Sequence, residues 1–390
     1  MQSLYEEAKE LQPQLAAWRH KLHQIPELDL ELPQTSAFVQ ARLAELGIPF
    51  ETLVDGNCIV ATIGRGAPCV MLRADMDGLP IAEESGEPFA SSNGCMHACG
   101  HDLHATSLLG AAKLLKEREA QLAGTVKLLF QPGEETFRGA RAAIAEGVLA
   151  NPQVNAAIGM HVASQAPLGT VLYGDVTMAS VYGFRITVTG KGGHGSTPEN
   201  CIDPIIVAIK IHEAFQELMA REKSSFAEAA LTVGKFQAGY AANVIPEQAV
   251  MEGTLRVFDP DQRAFLIERI EQIVPAVAAT YRASATLEVL TDVPEMRNDA
   301  ALVQNCLAAM QKAMPELHPV GGLHAMGSED FALVSKQVPS AYFMVGAKPS
   351  DVQKPFGHHT PHVRFSDNEA TIAATAYAAC ALHWLESHKG

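Results

Sequence analysis

The fold is decided by residues 69–130, which contain the apolar run CVML at 69–72, the helical pattern HATSLLGAAKLLKERE at 104–119 and the apolar run VKLLF at 126–130. Strands that are apolar throughout and alternate with helices are typical of an α/β domain whose sheet is covered on both faces. The same alternation extends outward, with apolar runs at 58–63, 156–160 and 341–345 and helical patterns at 4–23, 36–46, 139–148, 302–311 and 367–386. The sequence therefore predicts an α/β domain built on a mainly parallel sheet.

Residues 178–291 show a different pattern. The segment 181–189 alternates between apolar and polar side chains, with Phe184, Ile186 and Val188 on one face, as expected for a half-exposed strand. Helical patterns at 203–220 and 261–281 and strand patterns at 230–236, 249–258 and 283–290 complete the order β-α-β-β-α-β, which is typical of a split βαβ, or ferredoxin-like, sandwich. We therefore predict a small inserted domain at 178–291 and a main domain formed by 1–177 and 292–390.

The composition excludes some classes of protein. The chain has 390 residues, 47% of them hydrophobic, and its formal net charge of −15 is unfavourable for nucleic acid, whose phosphates need a basic surface. The N-terminal residues MQSLYEE lack the basic and apolar regions of a secretory signal, and no run approaches the about 18 apolar residues of a membrane span. Seven cysteines do not suggest a disulfide framework. We expect a cytoplasmic protein with reduced thiols and with no nucleic-acid or membrane partner.

Residues 96–104, MHACGHDLH, are the clearest candidate site. Cys99 and His101 can both reach one metal ion, because Gly100 lets the backbone bend between them. Three histidines, one cysteine and one aspartate within eight residues favour a metal site. For His97 and His104 taken alone, a flanking hydrogen-bonding role is an equally good interpretation.

Two carboxylate pairs follow predicted strands, at the edge where open α/β sheets bind their ligands. Asp75 and Asp77 share a face if their strand continues, and they can then orient a ligating imidazole, although a polar turn explains them at least as well. Glu134 and Glu135, in FQPGEE at 130–135, leave an extended backbone in opposite directions. One of them can therefore bind metal while the other faces the substrate as a general base.

Two distant histidines are further candidates. His161 follows the apolar run at 156–160, and His359 lies in GHHTPH at 357–362. A lone histidine after a strand is more often a structural residue, so that His161 carries little weight by itself. The histidine-rich segment around His359 indicates a functional site more strongly.

The inserted domain offers three candidate side chains. The glycine-rich segment GKGGHGS at 190–196 presents His194, and it lacks the Gly-Lys-Ser/Thr ending of a phosphate loop. Asn243, in NVIP at 243–246, and Arg256 offer an amide and a guanidinium, and a guanidinium can bind a carboxylate through two parallel hydrogen bonds. Taken singly, Asn243 and Arg256 are better explained as a turn residue and a surface charge.

Together these segments resemble the M20 metallopeptidase family, in particular its aminoacylase-like amidohydrolase branch, which includes hippurate hydrolases, N-acetyl-diaminopimelate deacetylases and auxin-conjugate hydrolases. The matching segments run in order over nearly the whole chain: RHKLH at 19–23 with PE at 26–27, RADMDGLP at 73–80, HACGHD at 97–102, QPGEE at 131–135, GGH at 192–194, NVIP at 243–246, GSEDF at 327–331 and HTP at 359–361. The CGHD motif is specific to this branch, since other members use aspartate in the metal bridge. Residues 195–198, GSTP, differ from the commoner Ala-Ala/Met-Pro run.

The resemblance implies two divalent metal ions bound by five side chains: Cys99, His101, Glu135, His161 and His359. It implies that Glu134 is the general base and that Asp77 is a supporting carboxylate. It also implies that the inserted domain is a lid that forms a homodimer. The lid histidine, His194, would stabilise the oxyanion in the active site of the partner, and Asn243 and Arg256 would hold the carboxylate of the substrate.

The implied reaction is hydrolysis of the amide bond of an N-acyl amino acid, which gives a carboxylate and a free amino acid. Two divalent ions held by these ligands would lower the pKa of the attacking water and polarise the scissile carbonyl. Glu134 would take the proton of this water and deliver it to the leaving nitrogen. Family habit favours manganese, whereas the donor set is also compatible with zinc, cobalt or nickel.

Three alternative functions are less well supported by these residues. A dipeptidase or carboxypeptidase of the same fold would share the chemistry and differ only in the substrate pocket. A catalytically silent binding protein is disfavoured because the base and every implied ligand are present. A structural zinc site is disfavoured because such sites use closely spaced ligands, whereas these span residues 99–359.

Overall fold

The computed structural model describes residues 3–389, so that Met1 and Gln2 of the acidic N-terminal segment, and Gly390, lie outside the described residues. The chain divides into two compact units. Unit 1 comprises the chain up to Thr177, Arg297–Leu323 and the chain from Asp330 onward, and unit 2 comprises Met178–Met296 and His324–Glu329. Residues 292–296 and His324–Glu329, which we assigned to the main domain from sequence, therefore group with unit 2.

The strands of residues 3–389 are, in chain order, β1 (Phe50–Leu53), β2 (Cys58–Gly64), β3 (Cys69–Asp75), β4 (Thr125–Gln131), β5 (Ala156–Pro167), β6 (Thr170–Tyr173), β7 (Val176–Met178), β8 (Ser180–Thr189), β9 (Gly193–His194), β10 (Ala229–Ala238), β11 (Val244–Ile245), β12 (Gln248–Val257), β13 (Ser284–Val293), β14 (Met296–Arg297), β15 (His318–Gly321) and β16 (Ser340–Lys348). The α-helices are α1 (Leu4–His23), α2 (Pro33–Glu45), α3 (His101–Lys116), α4 (Gly139–Ala145), α5 (Pro204–Glu217), α6 (Pro260–Thr280), α7 (Ala300–Ala313), α8 (Ala332–Ser335) and α9 (Asn368–Ser387).

Several helices begin at aspartate caps that the sequence encodes. The carboxylate of Asp203 accepts a hydrogen bond from the Ile205 amide at 2.9 Å at the start of α5, and Asp259 and Asp299 cap α6 and α7 in the same way. In α5 and α6 a proline occupies the first helical position, where its missing N–H would have had no partner in any case. The caps therefore fix where these helices start.

The sheet of unit 1 has the strand order β1-β2-β4-β3-β5-β16-β6-β15. The central strands β4, β3, β5 and β16 are parallel to one another, so that their carboxyl ends lie at the same edge. Every residue of β3 and β4 is buried, as expected for strands of a sheet that is covered on both faces. Helices α1, α3, α7 and α9 pack against one another around the main hydrophobic core. The predicted α/β domain with a mainly parallel sheet is confirmed.

Unit 2 contains a four-stranded antiparallel sheet with the order β10-β12-β8-β13. Phe184, Ile186 and Val188 of β8 are buried against α5 and α6, while Arg185 between them is partly exposed. Because the chain order of these elements is β8-α5-β10-β12-α6-β13, the predicted β-α-β-β-α-β arrangement is confirmed. A short ribbon in the same unit pairs β9 with β11.

Within residues 3–389, no helix combines the length and the apolar character that are needed to cross a lipid bilayer. All seven cysteines are free, and five of them are buried in addition to Cys99.

Candidate metal centre and active site

The carboxylate pairs of unit 1 lie just beyond the ends of two parallel strands. β3 ends at Asp75, and Asp77 follows after one residue. β4 ends at Gln131 and is followed by the turn that carries Glu134 and Glu135. Because β3 and β4 are parallel neighbours, both turns meet at the same edge of the sheet.

His161 lies inside β5, which corrects our expectation that it follows a strand. Pairing of β5 with β3 ends at Gly159, but β5 continues to Pro167 because its other edge remains paired with β16. His161 is thus two residues beyond the last pair with β3, at the same edge as the carboxylates. β5 is therefore longer than the apolar run at 156–160 from which we predicted it.

Two backbone features bring Cys99, His101 and His359 together. Gly100 precedes α3 with a φ of +87°, and a Cβ at this position would lie 2.4 Å from Cγ2 of Val162, so that glycine is required. His359 also has a positive φ of 61°, which is unusual for a residue with a side chain. The backbone N–H of His359 donates to the carbonyl of Ala98 at 3.0 Å, which joins the segment before α3 to the loop before α9.

The side chains of these segments converge on a small volume. Sγ of Cys99 lies 3.3 Å from Nε2 of His161 and 3.3 Å from Nε2 of His359. Oε1 of Glu135 lies 3.2 Å from Nε2 of His359 and 3.9 Å from Nε2 of His101. Donor atoms lie within 4.8 Å of one another in each of three overlapping groups: Cys99, His101 and His161; Cys99, Glu135 and His359; and His101, Glu134 and Glu135. The structure therefore brings together all five implied ligands and the implied base.

This donor set fits divalent metal ions. Nε2 of His101 is buried without a hydrogen-bond partner within residues 3–389, and buried polar atoms of this kind ordinarily have one. Burial, Glu135 and Glu134 raise the pKa of the Cys99 thiol well above 9, because a thiolate would add a further negative charge to the cluster. A divalent cation would offset this charge and bind the thiolate directly. Thiolate, imidazole and carboxylate donors suit first-row transition metals.

Asp77 fixes the positions of both glutamates. Its Oδ1 accepts a hydrogen bond from the amide of Glu134 and its Oδ2 accepts one from the amide of Glu135, each at 3.0 Å. Oδ1 also lies 3.4 Å from Nδ1 of His101. This contact directs Nε2 of His101 towards the donor cluster, as carboxylates often do for metal-ligating histidines. Asp77 is 1% exposed, so its carboxylate contacts these groups of the protein and not solvent.

The other histidines of the site differ in which ring nitrogen is available. His161 donates from Nδ1 to the Val162 carbonyl at 2.7 Å, which leaves Nε2 with a lone pair for a metal ion. His104 bonds Asp75 through Nδ1 and accepts the Val162 amide at Nε2, so that neither nitrogen remains for a metal. His358 accepts the Ser164 amide at Nε2, and its Nδ1 lies 3.8 Å from Sγ of Cys99. His97 is buried, and burial lowers its pKa to about 4.

In unit 2, His194 and Asn243 lie on one short ribbon. β9 pairs with β11 so that His194 is opposite Val244, and the amide of Gly195 donates to the carbonyl of Asn243 at 2.9 Å. Both the His194 and Asn243 side chains are exposed. The third predicted residue, Arg256, lies on β12 and donates from Nη1 to the Met326 carbonyl at 2.8 Å and to Oγ of Ser328 at 3.1 Å.

Residues 71–383 match the model of peptidase family M20/M25/M40. The chain belongs to this family. It is 36% identical to N-acetylcysteine deacetylase of Bacillus subtilis, with 98% of this chain and 99% of the relative covered. It is also 36% identical to the IAA-amino acid hydrolase ILR1-like 4 of Arabidopsis thaliana, with 94% and 84% covered. Thermostable carboxypeptidase 2 of Saccharolobus solfataricus is 31% identical, with 98% of each chain covered. The chain is thus a hydrolase of the M20 family.

A solved structure of the family has the same fold. The YXEP protein of Bacillus subtilis, described as a dinuclear metal-binding peptidase of the M20 family, is 33% identical to this chain. The two align over 97% of this chain and 99% of the other, with a TM-score of 0.82. This M20 hydrolase therefore shares the fold of the YXEP protein over almost its whole sequence.

Beneath the donor cluster, this M20 hydrolase has a buried charge network that the sequence analysis did not identify. Arg73, 1% exposed, donates to Oδ2 of Asp75 at 2.7 Å, to Oδ1 of Asp330 at 2.9 Å and to Oε1 of Gln131 at 3.1 Å. Gln131 donates in turn to both oxygens of Asp330. Burial alone would raise the pKa of Asp75, but Arg73, His101 and His104 outweigh it and hold this pKa well below 3.8.

A second buried network anchors the start of α3. Oδ2 of Asp102 accepts hydrogen bonds from Nε of Arg19 at 3.0 Å and contacts Nδ1 of His23 at 2.8 Å. Arg19 also donates to the carbonyl of Phe365 at 3.0 Å, in the segment that follows His359. α1 thereby ties together two segments that carry donor atoms. These residues lie in the segments RHKLH and CGHD that carry the family resemblance. The sequence does not show that their charged side chains are buried together, and this joint burial is what indicates a shared role.

Proposed function

We propose that this M20 hydrolase cleaves the amide bond of an N-acyl amino acid at a centre of two divalent metal ions. The observation that carries the proposal is the convergence of a thiol, three imidazoles and a carboxylate beside a second glutamate, Glu134. The relatives named for N-acetylcysteine and for IAA-amino acids support this class of substrate. The products would be a carboxylate and a free amino acid.

We assign the metal ligands as Cys99, His101, Glu135, His161 and His359. The name of the YXEP protein supports a two-metal centre. We propose manganese as the native metal, with zinc, cobalt and nickel compatible with the same donors. Bound metal would supply Lewis acidity for the scissile carbonyl and would lower the pKa of the attacking water.

Glu134 performs the proton transfers in the proposed mechanism. Its backbone is held by Asp77, and its side chain is 5% exposed beside Glu135 and His101. The carboxylate takes a proton from the attacking water and then gives it to the amide nitrogen, which is a poor leaving group until it is protonated. Oε1 of Glu135 contacts the proposed metal ligand His359. Glu135 would therefore bind metal, and the adjacent Glu134 would remain available as the base.

Unit 2 would act as the lid and would form a homodimer. His194 would donate a hydrogen bond to the oxyanion of the tetrahedral intermediate, and Asn243 and Arg256 would bind the carboxylate of the substrate. The surroundings of Arg256 support this assignment. Arg256 is half-buried, and it donates to two neutral oxygens. Among the described residues of unit 2, no carboxylate forms an ion pair with it. We place the protein in the cytoplasm, consistent with its free cysteines.

Arg256→Gln should raise KM for an N-acyl amino acid by about 10- to 100-fold, because a hydrogen bond to a charged group contributes about 1.5–3 kcal/mol. The measurement compares KM for an N-acetyl amino acid with KM for the same compound bearing a neutral carboxamide. The unmodified protein should prefer the acid, and the variant should lose this preference. A variant that retains the full preference would show that Arg256 does not bind the carboxylate.

The proposed function is tested by a substrate panel on metal-loaded protein. The panel contains N-acetyl and N-benzoyl amino acids and, as the competing class, dipeptides with a free amino terminus. Faster turnover of the N-acyl amino acids, measured as kcat/KM, is the expected result. The alternative is a dipeptidase or carboxypeptidase activity, which the carboxypeptidase relative supports, and a preference for dipeptides would establish it. Absence of turnover throughout the panel would contradict both and would indicate a binding protein.

A further inference from the structure

The ring of His194 is held in one orientation by its own turn. The amide of Ser196 donates to Nδ1 of His194 at 3.1 Å, and Oγ of Ser196 lies 2.8 Å from the same nitrogen. The backbone of His194 is fixed as well, by pairing with Val244 on one side and by the Thr197 amide, which donates to the His194 carbonyl at 2.9 Å. Although His194 is exposed, its backbone and one nitrogen of its ring are thus both held by hydrogen bonds.

These contacts determine which ring nitrogen carries the proton. A backbone amide can only donate, so Nδ1 must act as an acceptor and must present its lone pair. In the neutral imidazole the proton then resides on Nε2. Once Nδ1 is unprotonated, the Ser196 hydroxyl can only donate to it, and the hydroxyl and the amide then share the single lone pair of Nδ1. Nε2–H has no hydrogen-bond partner among the described residues of unit 2, and it remains available as a donor.

We propose that Ser196 is a positioning residue that holds His194 as the Nε2–H tautomer, with its donor directed away from the turn and towards an anionic oxygen of the substrate. This inference rests on the proposed function, in which His194 stabilises an oxyanion. A donor that already has its proton and its orientation needs no rearrangement when negative charge develops, which is the property required of an oxyanion hole. The amide of residue 196 supplies part of this restraint whatever the side chain, proline excepted, whereas the hydroxyl is specific to serine or threonine.

The tautomer is measured directly by NMR on full-length protein labelled with ¹³C and ¹⁵N in histidine. Comparison with His194→Gln identifies the His194 signals among those of the 15 histidines. The unmodified protein should show His194 as the Nε2–H form. Ser196→Ala should increase the fraction of the Nδ1–H form, and Ser196→Thr should restore the original ratio. An Nδ1–H form in the unmodified protein, or an unchanged ratio in Ser196→Ala, would overturn the proposal.

Turnover provides the second readout. Ser196→Ala should lower kcat for the N-acyl amino acid by about 2- to 10-fold with little change in KM, as expected for the loss of one hydrogen bond. Thr197→Ala is the matched control, because Oγ1 of Thr197 contacts the His194 carbonyl and not the ring. It should leave both the tautomer and kcat unchanged. Since the NMR measurement requires no substrate, it stands even if the substrate panel fails, and the two failures are distinguishable.

Discussion

Glu134→Gln is expected to lower kcat by about 10²–10⁴-fold and to leave the metal content of the protein unchanged. General acid–base catalysis by a positioned side chain typically contributes a factor of this size. Glutamine has nearly the shape of glutamate but cannot take a proton from water. The amide of residue 134 would still donate to Asp77, so that the turn should keep its conformation. The measurement is kcat on metal-loaded protein, together with metal analysis of the same sample.

Glu135→Gln is the matched comparison, since it makes the same chemical change one residue further along the turn. Oε1 of Glu135 lies 3.2 Å from Nε2 of His359, within the donor cluster. This variant should therefore lose bound metal, as should Cys99→Ser. If Glu134→Gln loses metal and Glu135→Gln keeps it, the roles of the two glutamates are exchanged. Full activity in Glu134→Gln would contradict the assignment of the base.

The sequence was sufficient to predict the fold because its local signals agree with the tertiary arrangement. The apolar runs at 69–72 and 126–130 are fully buried strands, and the alternation of 181–189 is that of a half-exposed strand. Short strands such as β1, β6 and β15 were not predicted. A strand of four residues is too short to show a period, and its conformation depends on the neighbour with which it pairs.

The candidate site was predicted for a related reason. Its carboxylates follow β3 and β4, and His161 lies in β5 beyond the pairing of β5 with β3. These parallel strands bring the side chains to one edge of the sheet. Sequence alone could not distinguish His161, whose Nε2 faces Cys99, from His104, whose two nitrogens are both engaged within the protein. That difference depends on backbone groups of Val162, which lie 58 positions from His104. The roles of the metal ligands, the base and the lid residues remain predictions.

The buried networks were beyond prediction from sequence, because they join segments that are far apart in the chain. Arg73 and Asp330 are separated by 257 positions, and Arg19 and Asp102 by 83. Polar periodicity within a segment carries no information about such partners. One general rule could have indicated them, namely that a charged residue in a strand buried on both faces must be paired.

Arg73→Ala is expected to destabilise the protein by about 3–5 kcal/mol, the usual cost of removing one partner from a buried ion pair. The cost arises because Asp75 and Asp330, both fully buried, would lose the guanidinium that compensates them. Arg73→Lys should cost less, since it retains the charge but cannot donate to three acceptors from one plane. The measurement is the urea midpoint and slope for each variant.

Arg118→Ala is the control for loss of an arginine from unit 1. Its ion pair with Glu7 at 2.6 Å is partly exposed, and pairs of this kind contribute about 0–1 kcal/mol. It should therefore shift the urea midpoint far less than Arg73→Ala. Equal shifts in the two variants would show that burial does not determine the contribution of these arginines.

Acid unfolding tests the same network through the charge of Asp75. The folded-state pKa of Asp75 lies well below its ordinary value of 3.8. The contribution of ionised Asp75 to the free energy of unfolding is therefore fully present above pH 3.8, and it is lost as the pH falls through the folded-state pKa. Arg73→Ala removes the largest of the charges that depress this pKa, so the midpoint of acid unfolding should move to higher pH. The Arg118→Ala midpoint should not move. An unchanged midpoint in Arg73→Ala would mean that His101 and His104 alone keep Asp75 ionised, and that the guanidinium serves packing and not charge compensation.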